Sequence, residues 1–186
     1  METAIVTGSI KDAVITKGQS LALAFMAVET VVIVDTSGSM GAMDSRGGKS
    51  RYDVAVDELS KLQAGQPGKI LVISFSDEVK VCLNGVPYNF MGGTLVGRAL
   101  QYAKQYDISG MNIIVISDGE PMDENEALAI ARTFTNSIST VYVGPPDETR
   151  GREFLGRLAM ATGGKTVTAD RAKELATSIT TLLLKA

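Results

Sequence analysis

The sequence has 186 residues, 45% of them hydrophobic and 21% charged, which is enough for one domain with a substantial core. Its formal net charge of −3 argues against a broad basic surface, so we expect no nucleic-acid partner. Histidine is absent and Cys82 is the single cysteine, which excludes Ser-His and Cys-His catalytic pairs, a disulfide within the chain, and zinc held by histidines or thiolates.

The first 27 residues are predicted to form a helical extension that packs on the domain after it. Ser9 followed by Asp12 resembles a capping box, and the apolar residues that follow roughly keep to one helical face. Gly18 interrupts this pattern. A helix with a break and a helix that leads into a strand therefore both fit.

The N-terminus also bears on location. It lacks the basic start and long apolar core of a secretory signal. The longest apolar run, residues 21–28, is far shorter than the ~20 residues that cross a bilayer. With one cysteine, a reducing compartment is the simpler interpretation, and we expect a cytoplasmic protein with no membrane partner.

The first strand is predicted at residues 28–35. Its run Val31-Val32-Ile33-Val34 is typical of a strand buried on both faces. It ends in Asp35-Thr36-Ser37-Gly38-Ser39, at the position where an open α/β sheet places a ligand site. Residues 42–50 are polar and glycine-rich, so we expect a mobile surface loop in which Asp44 and Arg46 are solvated.

Helices and strands alternate along the rest of the chain. Strands at 69–74 and 79–83 are joined by so short a turn that they must be antiparallel, most simply at a sheet edge. The other predicted strands lie at 112–117, 139–143 and 165–168, and the helices at 52–62, 96–103, 123–134, 154–159 and 172–183. Asp123 and Glu126 are predicted to form a capping box.

This order predicts a single α/β domain over residues 28–186. We expect a doubly wound, mostly parallel sheet of about six strands with one antiparallel edge strand and helices on both faces, a Rossmann-like arrangement.

Oxygen-bearing side chains are predicted to meet at one edge of this sheet. Asp35 and Asp118 each end a fully apolar strand, so both carboxylates should lie at the same rim. Thr94 opens a helix and can direct its hydroxyl towards that rim, beside Ser37 and Ser39. These hard oxygen donors suit Mg²⁺ or Mn²⁺, whereas Ca²⁺ usually takes more carboxylates.

The set of Asp35, Ser37, Ser39, Thr94 and Asp118 resembles the metal-ion-dependent adhesion site of von Willebrand factor A domains, the fold shared by integrin inserted domains. The resemblance covers roughly residues 28–185. It implies that the two serines and the threonine bind the metal directly. Asp35 would either bind the metal directly or contact one of its ligands, and Asp118 would act mostly through a water molecule. It also implies that the closing helix, at about 171–185, moves with the conformation of the site.

In that family an acidic side chain of a partner protein fills the remaining position of the ion. The resemblance therefore implies a module, not an enzyme, that binds Mg²⁺, with Mn²⁺ or Ca²⁺ as alternatives, and engages a protein partner through an Asp or Glu.

Two other functions stay open. A Mg²⁺-dependent phosphohydrolase would use the same oxygen donors, but the sequence offers no convincing nucleophile, and Gly48-Lys49-Ser50 has Met43 where a phosphate-binding loop needs glycine. A structural subunit could keep the motif and bind its partner through another face.

Overall fold

The computed structural model describes residues 4–119 and 121–184. Six strands form one sheet: Thr30–Asp35 (β1), Ile70–Phe75 (β2), Val79–Val81 (β3), Asn112–Ser117 (β4), Ile138–Tyr142 (β5) and Thr166–Thr168 (β6). Seven α-helices lie within the described residues: Ile10–Lys17 (α1), Leu21–Met26 (α2), Arg51–Gly65 (α3), Val96–Ala103 (α4), Glu124–Ala131 (α5), Arg150–Met160 (α6) and Leu175–Leu184 (α7).

The strand order is β3-β2-β1-β4-β5-β6, with every neighbour parallel except the β2–β3 hairpin. In the hairpin, Phe75 pairs with Val79 at the edge of the sheet. The predicted doubly wound sheet with one antiparallel edge strand is confirmed.

The site is positioned by the central strands. The chain runs outward from β1 through β2 to β3, then returns to β4 on the other side of β1. The carboxyl ends of β1 and β4 therefore flank the point where the direction of winding changes, where open α/β sheets form their crevice. Val34 pairs with Ile116, so Asp35 and Ser117 end the two strands side by side.

The core lies on both faces of the sheet. Val31 and Ile33 of β1 pack with Leu100 of α4 and other buried residues, while Val32 and Val34 face the cluster that includes α3 and α7. The four apolar side chains of β1, at residues 31–34, are fully buried. Burying each of them stabilises the fold by roughly 1.5–3 kcal/mol, which is why an uninterrupted β-branched run marks the central strand.

The N-terminal segment forms two helices. Ser9 is the N-cap of α1 and accepts a hydrogen bond from the backbone N–H of Asp12, at 3.2 Å. Gly18 ends α1 in the left-handed conformation, with φ 59°. Ile10 and Ala24 are buried in the same cluster as β1. Of the two options for this segment, the chain takes a helix, a break and a second helix.

The capping box predicted at Asp123 and Glu126 is wrong. The Asp123 carboxylate caps a different helix: its Oδ2 accepts hydrogen bonds from the backbone N–H groups of Gly97 and Arg98 in the first turn of α4, at 2.7 and 3.3 Å. The free N–H groups of α4 compete successfully for this carboxylate because α4 and α5 pack side by side.

The last helix begins later than predicted. Residues 170–172 form a short 3-10 turn, and α7 starts at Leu175. Three residues before the helix are left-handed without being glycine: Arg171, Ala172 and Glu174, with φ 46°, 62° and 55°. Residue 185 of the predicted helix lies outside the described residues. Within the described part of the chain, no helix combines the length and the apolar character needed to cross a membrane.

Candidate metal centre

Asp35 is fixed at the end of β1 by two hydrogen bonds. Its Oδ1 accepts from the backbone N–H of Ser37 at 2.8 Å, and its Oδ2 accepts from the Ser117 hydroxyl at 2.5 Å. The side chain is fully buried. Burial, and next the nearby charge of Asp118, raise the pKa of Asp35 to about 7, against the opposing effect of these hydrogen bonds.

Ser117 is a residue of the candidate site that sequence reasoning missed. The sequence signal for Ser117 was its position. It lies directly before Asp118, at the end of the strand that pairs with β1.

The two serine hydroxyls and Asp118 form a continuous line of oxygen atoms. Ser37 Oγ lies 3.1 Å from Ser39 Oγ, and Ser39 Oγ donates to Asp118 Oδ1 at 2.8 Å. Ser37 is buried, while Ser39 is exposed on a short 3-10 turn that follows it. The turn therefore presents hydroxyl oxygens at the rim with one carboxylate beside them.

Thr94 reaches the same place from another element. A Cβ atom added to Gly119 would lie 3.4 Å from Ser39 Oγ and 3.7 Å from Thr94 Oγ1. The two hydroxyls therefore face the same small space, which stays open because residue 119 is glycine. The structure thus brings Asp35, Ser37, Ser39, Thr94 and Asp118 together at one rim.

The segment before Thr94 is tied to the serine turn. The backbone N–H of Gly38 donates to Gly92 O, and the N–H of Met91 donates to Thr36 O, both at 3.0 Å. From the other side, the N–H of Gly93 donates to Asp77 Oδ1 at 3.1 Å. Asp77, which the sequence suggests only as a turn residue, therefore helps to place Thr94.

Arg51 is a second residue of the site that sequence reasoning missed. It is the first residue of α3, directly after the N-cap Ser50. Its Nη1 donates to Asp118 Oδ2 at 2.6 Å, and its Nε and Nη2 donate to the two oxygens of Asp44 at 2.9 and 2.7 Å. A cation in the first turn opposes the helix dipole, and this unfavourable placement was the signal that Arg51 has a specific anionic partner.

The prediction that Asp44 and Arg46 are merely solvated is wrong. Besides Arg51, Asp44 pairs with Nε of Arg171 at 3.2 Å, and Arg46 pairs with Glu58 of α3 at 2.5 Å. The hydrogen bond from Arg51 is the main cause that lowers the pKa of Asp44. The charges of this loop are paired because α3, which follows the loop, and Arg171, 127 positions after Asp44, supply opposite charges.

The chemistry of these donors fits a hard divalent cation. Within residues 4–119 and 121–184, no three histidine, cysteine, aspartate or glutamate side chains are grouped to hold a metal. An ion at this rim would therefore depend on the hydroxyls of Ser37, Ser39 and Thr94 together with two carboxylates, an all-oxygen set that suits Mg²⁺ or Mn²⁺.

Comparisons with known proteins agree with this architecture. No protein-family model matches the sequence, and no curated protein gives a significant match. Among solved structures, an aerotolerance-related membrane protein from Bacteroides fragilis has 21% sequence identity and a TM-score of 0.69, with coverage of 86% of this chain and 100% of the other.

Two further solved structures are similar to this chain, one of them a VWA domain and the other a protein with bound manganese. The VWA domain of SpRpn10 has 11% identity and a TM-score of 0.55, covering 84% of this chain and 94% of the other. The manganese-loaded TRAP protein of Plasmodium vivax has 16% identity and a TM-score of 0.50, covering 82% and 71%. This chain therefore has the von Willebrand factor A fold.

Proposed function

We propose that this protein is a binding module that holds Mg²⁺ at the rim and uses the ion to engage an acidic side chain of a partner protein. Mn²⁺ and Ca²⁺ are the alternative ions. The observation that carries the proposal is the convergence of the Ser39 and Thr94 hydroxyls on the open space at Gly119, beside Ser37 and Asp118.

The hydrogen bonds suggest a role for each residue. Ser37, Ser39 and Thr94 would be direct ligands. Both Asp35 oxygens already accept hydrogen bonds, so this carboxylate would chiefly hold the serine turn and contribute negative charge. Asp118 bonds to Ser39 and Arg51, and would reach the ion through water. When bound, the ion supplies a Lewis-acidic position that favours an incoming carboxylate.

The surroundings of the site favour a protein partner. Two exposed methionines lie close to the rim: Met91 and Met122, with exposed fractions of 52% and 75%. The Met91 side chain lies beside Gly41, and the Met122 sulfur lies against Gly93. Methionine adapts its shape and occurs often on protein-binding surfaces, so these side chains can pack around a residue that inserts its carboxylate at the centre.

The metal site can be tested by calorimetric titration of Mg²⁺ into the wild type and into Asp35→Ala, Ser39→Ala and Thr94→Ala. We expect each variant to weaken Mg²⁺ binding by at least about tenfold, because each loses a ligand or the support of a ligand. Ser60→Ala is the control, since the Ser60 hydroxyl donates to Val56 O within α3. Undiminished binding in all three site variants would contradict the assignment.

The partner and the absence of catalysis are tested separately. A pull-down from a lysate should recover a protein in Mg²⁺ that is lost in EDTA, and the Thr94→Ala variant should fail to recover it. Recovery that survives EDTA would indicate binding through another face. Turnover of a generic phosphoester by the wild type that disappears in Asp35→Ala would indicate a phosphohydrolase instead.

A further inference from the structure

A positively charged side chain is built into the proposed metal site. The Arg51 side chain is only 10% exposed, and the Asp118 side chain that it contacts at 2.6 Å is fully buried. Asp118 is one of the two carboxylates expected to balance the charge of a divalent ion. Its negative charge is therefore already offset before any metal arrives.

Arg51 is held in this position from outside the site. Its Nε and Nη2 atoms donate to the two oxygens of Asp44, and Asp44 also accepts from Arg171. The planar guanidinium spans two carboxylates at once, an arrangement that a lysine ammonium cannot reproduce. Arg51 is also the first residue of helix α3, which Ser50 caps, so the backbone that carries its side chain is fixed.

We propose that Arg51 is a resident cation that competes with the metal for the negative charge of Asp118. It stabilises the metal-free protein, because otherwise Asp118 would be a buried carboxylate close to Asp35. It also lowers the affinity for Mg²⁺, because a fixed positive charge beside the site repels the ion. The inference rests on the proposed function, since it concerns the same metal site.

A purely structural role for Arg51 predicts a different result. If Arg51 only anchored Asp118 in place, removing it would misplace the carboxylate and weaken both folding and Mg²⁺ binding. If Arg51 is a competing cation, removing it destabilises the metal-free protein but strengthens Mg²⁺ binding. The two roles therefore predict opposite signs for the change in metal affinity.

The experiment measures the Kd for Mg²⁺ by calorimetry and the thermal unfolding midpoint in EDTA for Arg51→Gln, Arg51→Lys and Asp44→Asn. For Arg51→Gln we expect the Kd to fall by about tenfold and the midpoint in EDTA to decrease. For Asp44→Asn we expect the Kd to rise by about threefold or more, because the positive charge of Arg51 is then less neutralised. Arg51→Lys keeps the charge and should stay within about threefold of the wild-type Kd.

The control is Arg46→Gln, which removes a positive charge from the loop that carries Asp44, at a residue whose ion pair is with Glu58. Its Kd should stay within about twofold of the wild type.

A weaker or unchanged Mg²⁺ affinity in Arg51→Gln would overturn the inference while leaving the proposed function intact. If Arg51→Gln does not fold, an unchanged or tighter affinity in Asp44→Asn overturns it instead. A wild type that binds no Mg²⁺ would overturn the proposed function and this inference together.

Discussion

Gly119 determines how much space the hydroxyls of Ser39 and Thr94 share. A methyl group at this position would be in ordinary van der Waals contact with both oxygen atoms, at 3.4 and 3.7 Å, so it would fill the space without forcing the backbone apart. The glycine is therefore more important for what can enter the site than for the stability of the fold.

Replacing Gly119 with alanine should separate these two properties. We expect Gly119→Ala to weaken Mg²⁺ binding by about tenfold or more, because the methyl group occupies the place of the ion or of its waters. The thermal unfolding midpoint in EDTA should change little. Gly156→Ala is the matched control, since a Cβ atom there meets nothing within 4 Å. Normal Mg²⁺ affinity in Gly119→Ala would show that the ion binds elsewhere.

The residues of the site differ in how far the sequence could predict them. Asp35 and Asp118 end continuous apolar strands, so the pattern alone places them at one rim. The ion pairs of Arg51 could not be predicted in the same way, because Asp118 lies 67 positions along the chain and Asp44 lies in a loop without a periodic pattern. Asp123 shows the same limit, since its carboxylate caps α4, 26 positions earlier, instead of its own helix.

Among the structural elements, the start of α7 is the most unusual. It follows left-handed residues that are not glycine, and polar contacts connect it to the candidate metal site. Arg171 pairs with Asp44 and its carbonyl accepts a hydrogen bond from the Ser45 hydroxyl, while the backbone N–H of Ala176 donates to Glu58. These contacts form a physical route from Asp118 through Arg51 and Asp44 to α7.

The backbone strain in this segment can be measured at Glu174, which is exposed and has φ 55°. A left-handed conformation costs most residues about 1–2 kcal/mol, but it costs glycine almost nothing. We expect Glu174→Gly to raise the free energy of unfolding by about 0.5–1 kcal/mol in urea denaturation, after the entropy cost of glycine in the unfolded chain. Glu174→Ala keeps the Cβ atom and should give no gain; an equal gain in both variants would mean that strain is not the cause.

At the scale of the whole molecule, the type of sheet, mostly parallel with one antiparallel edge strand, was the most predictable feature. The β2–β3 turn is too short for a crossover, and the alternation of helices and strands leaves few ways to wind a sheet. The boundaries of α7 were less predictable, because the apolar pattern continues through Ala172 while the backbone there is not α-helical. Long-range charge pairs decide such details, and they leave no periodic signal in the sequence.

Asp107 makes such a long-range connection away from the candidate metal site. Its carboxylate, 1% exposed, accepts hydrogen bonds from Lys104, from the backbone N–H of Thr135 and from both the backbone and side chain of Asn136. Burial acts to raise the pKa of Asp107, but these hydrogen bonds outweigh it and hold the pKa well below the ordinary value of 3.8.

This depressed pKa predicts a pH dependence of stability. The ionised carboxylate stabilises the folded state above pH 3.8, and the contribution is lost as the pH falls from there towards the folded-state pKa. At pH 7, Asp107→Asn should lower the free energy of unfolding by about 1–3 kcal/mol, and this difference should shrink below pH 4. The exposed pair of Asp57 with Lys49 supplies the control, since Asp57→Asn should cost less than about 1 kcal/mol. A difference between wild type and Asp107→Asn that does not vary with pH would contradict the ionic explanation.

The central claim is that the hydroxyl-lined rim at the end of β1 holds a divalent cation with one position left for a carboxylate. The most direct test is an anomalous diffraction map from crystals of the protein grown with saturating Mn²⁺ and free of carboxylate buffers. The account predicts a manganese peak in coordination contact with the oxygens of Ser37, Ser39 and Thr94, with water or a carboxylate from a neighbouring molecule completing the shell. A rim without manganese, or manganese bound only to other residues, would contradict it.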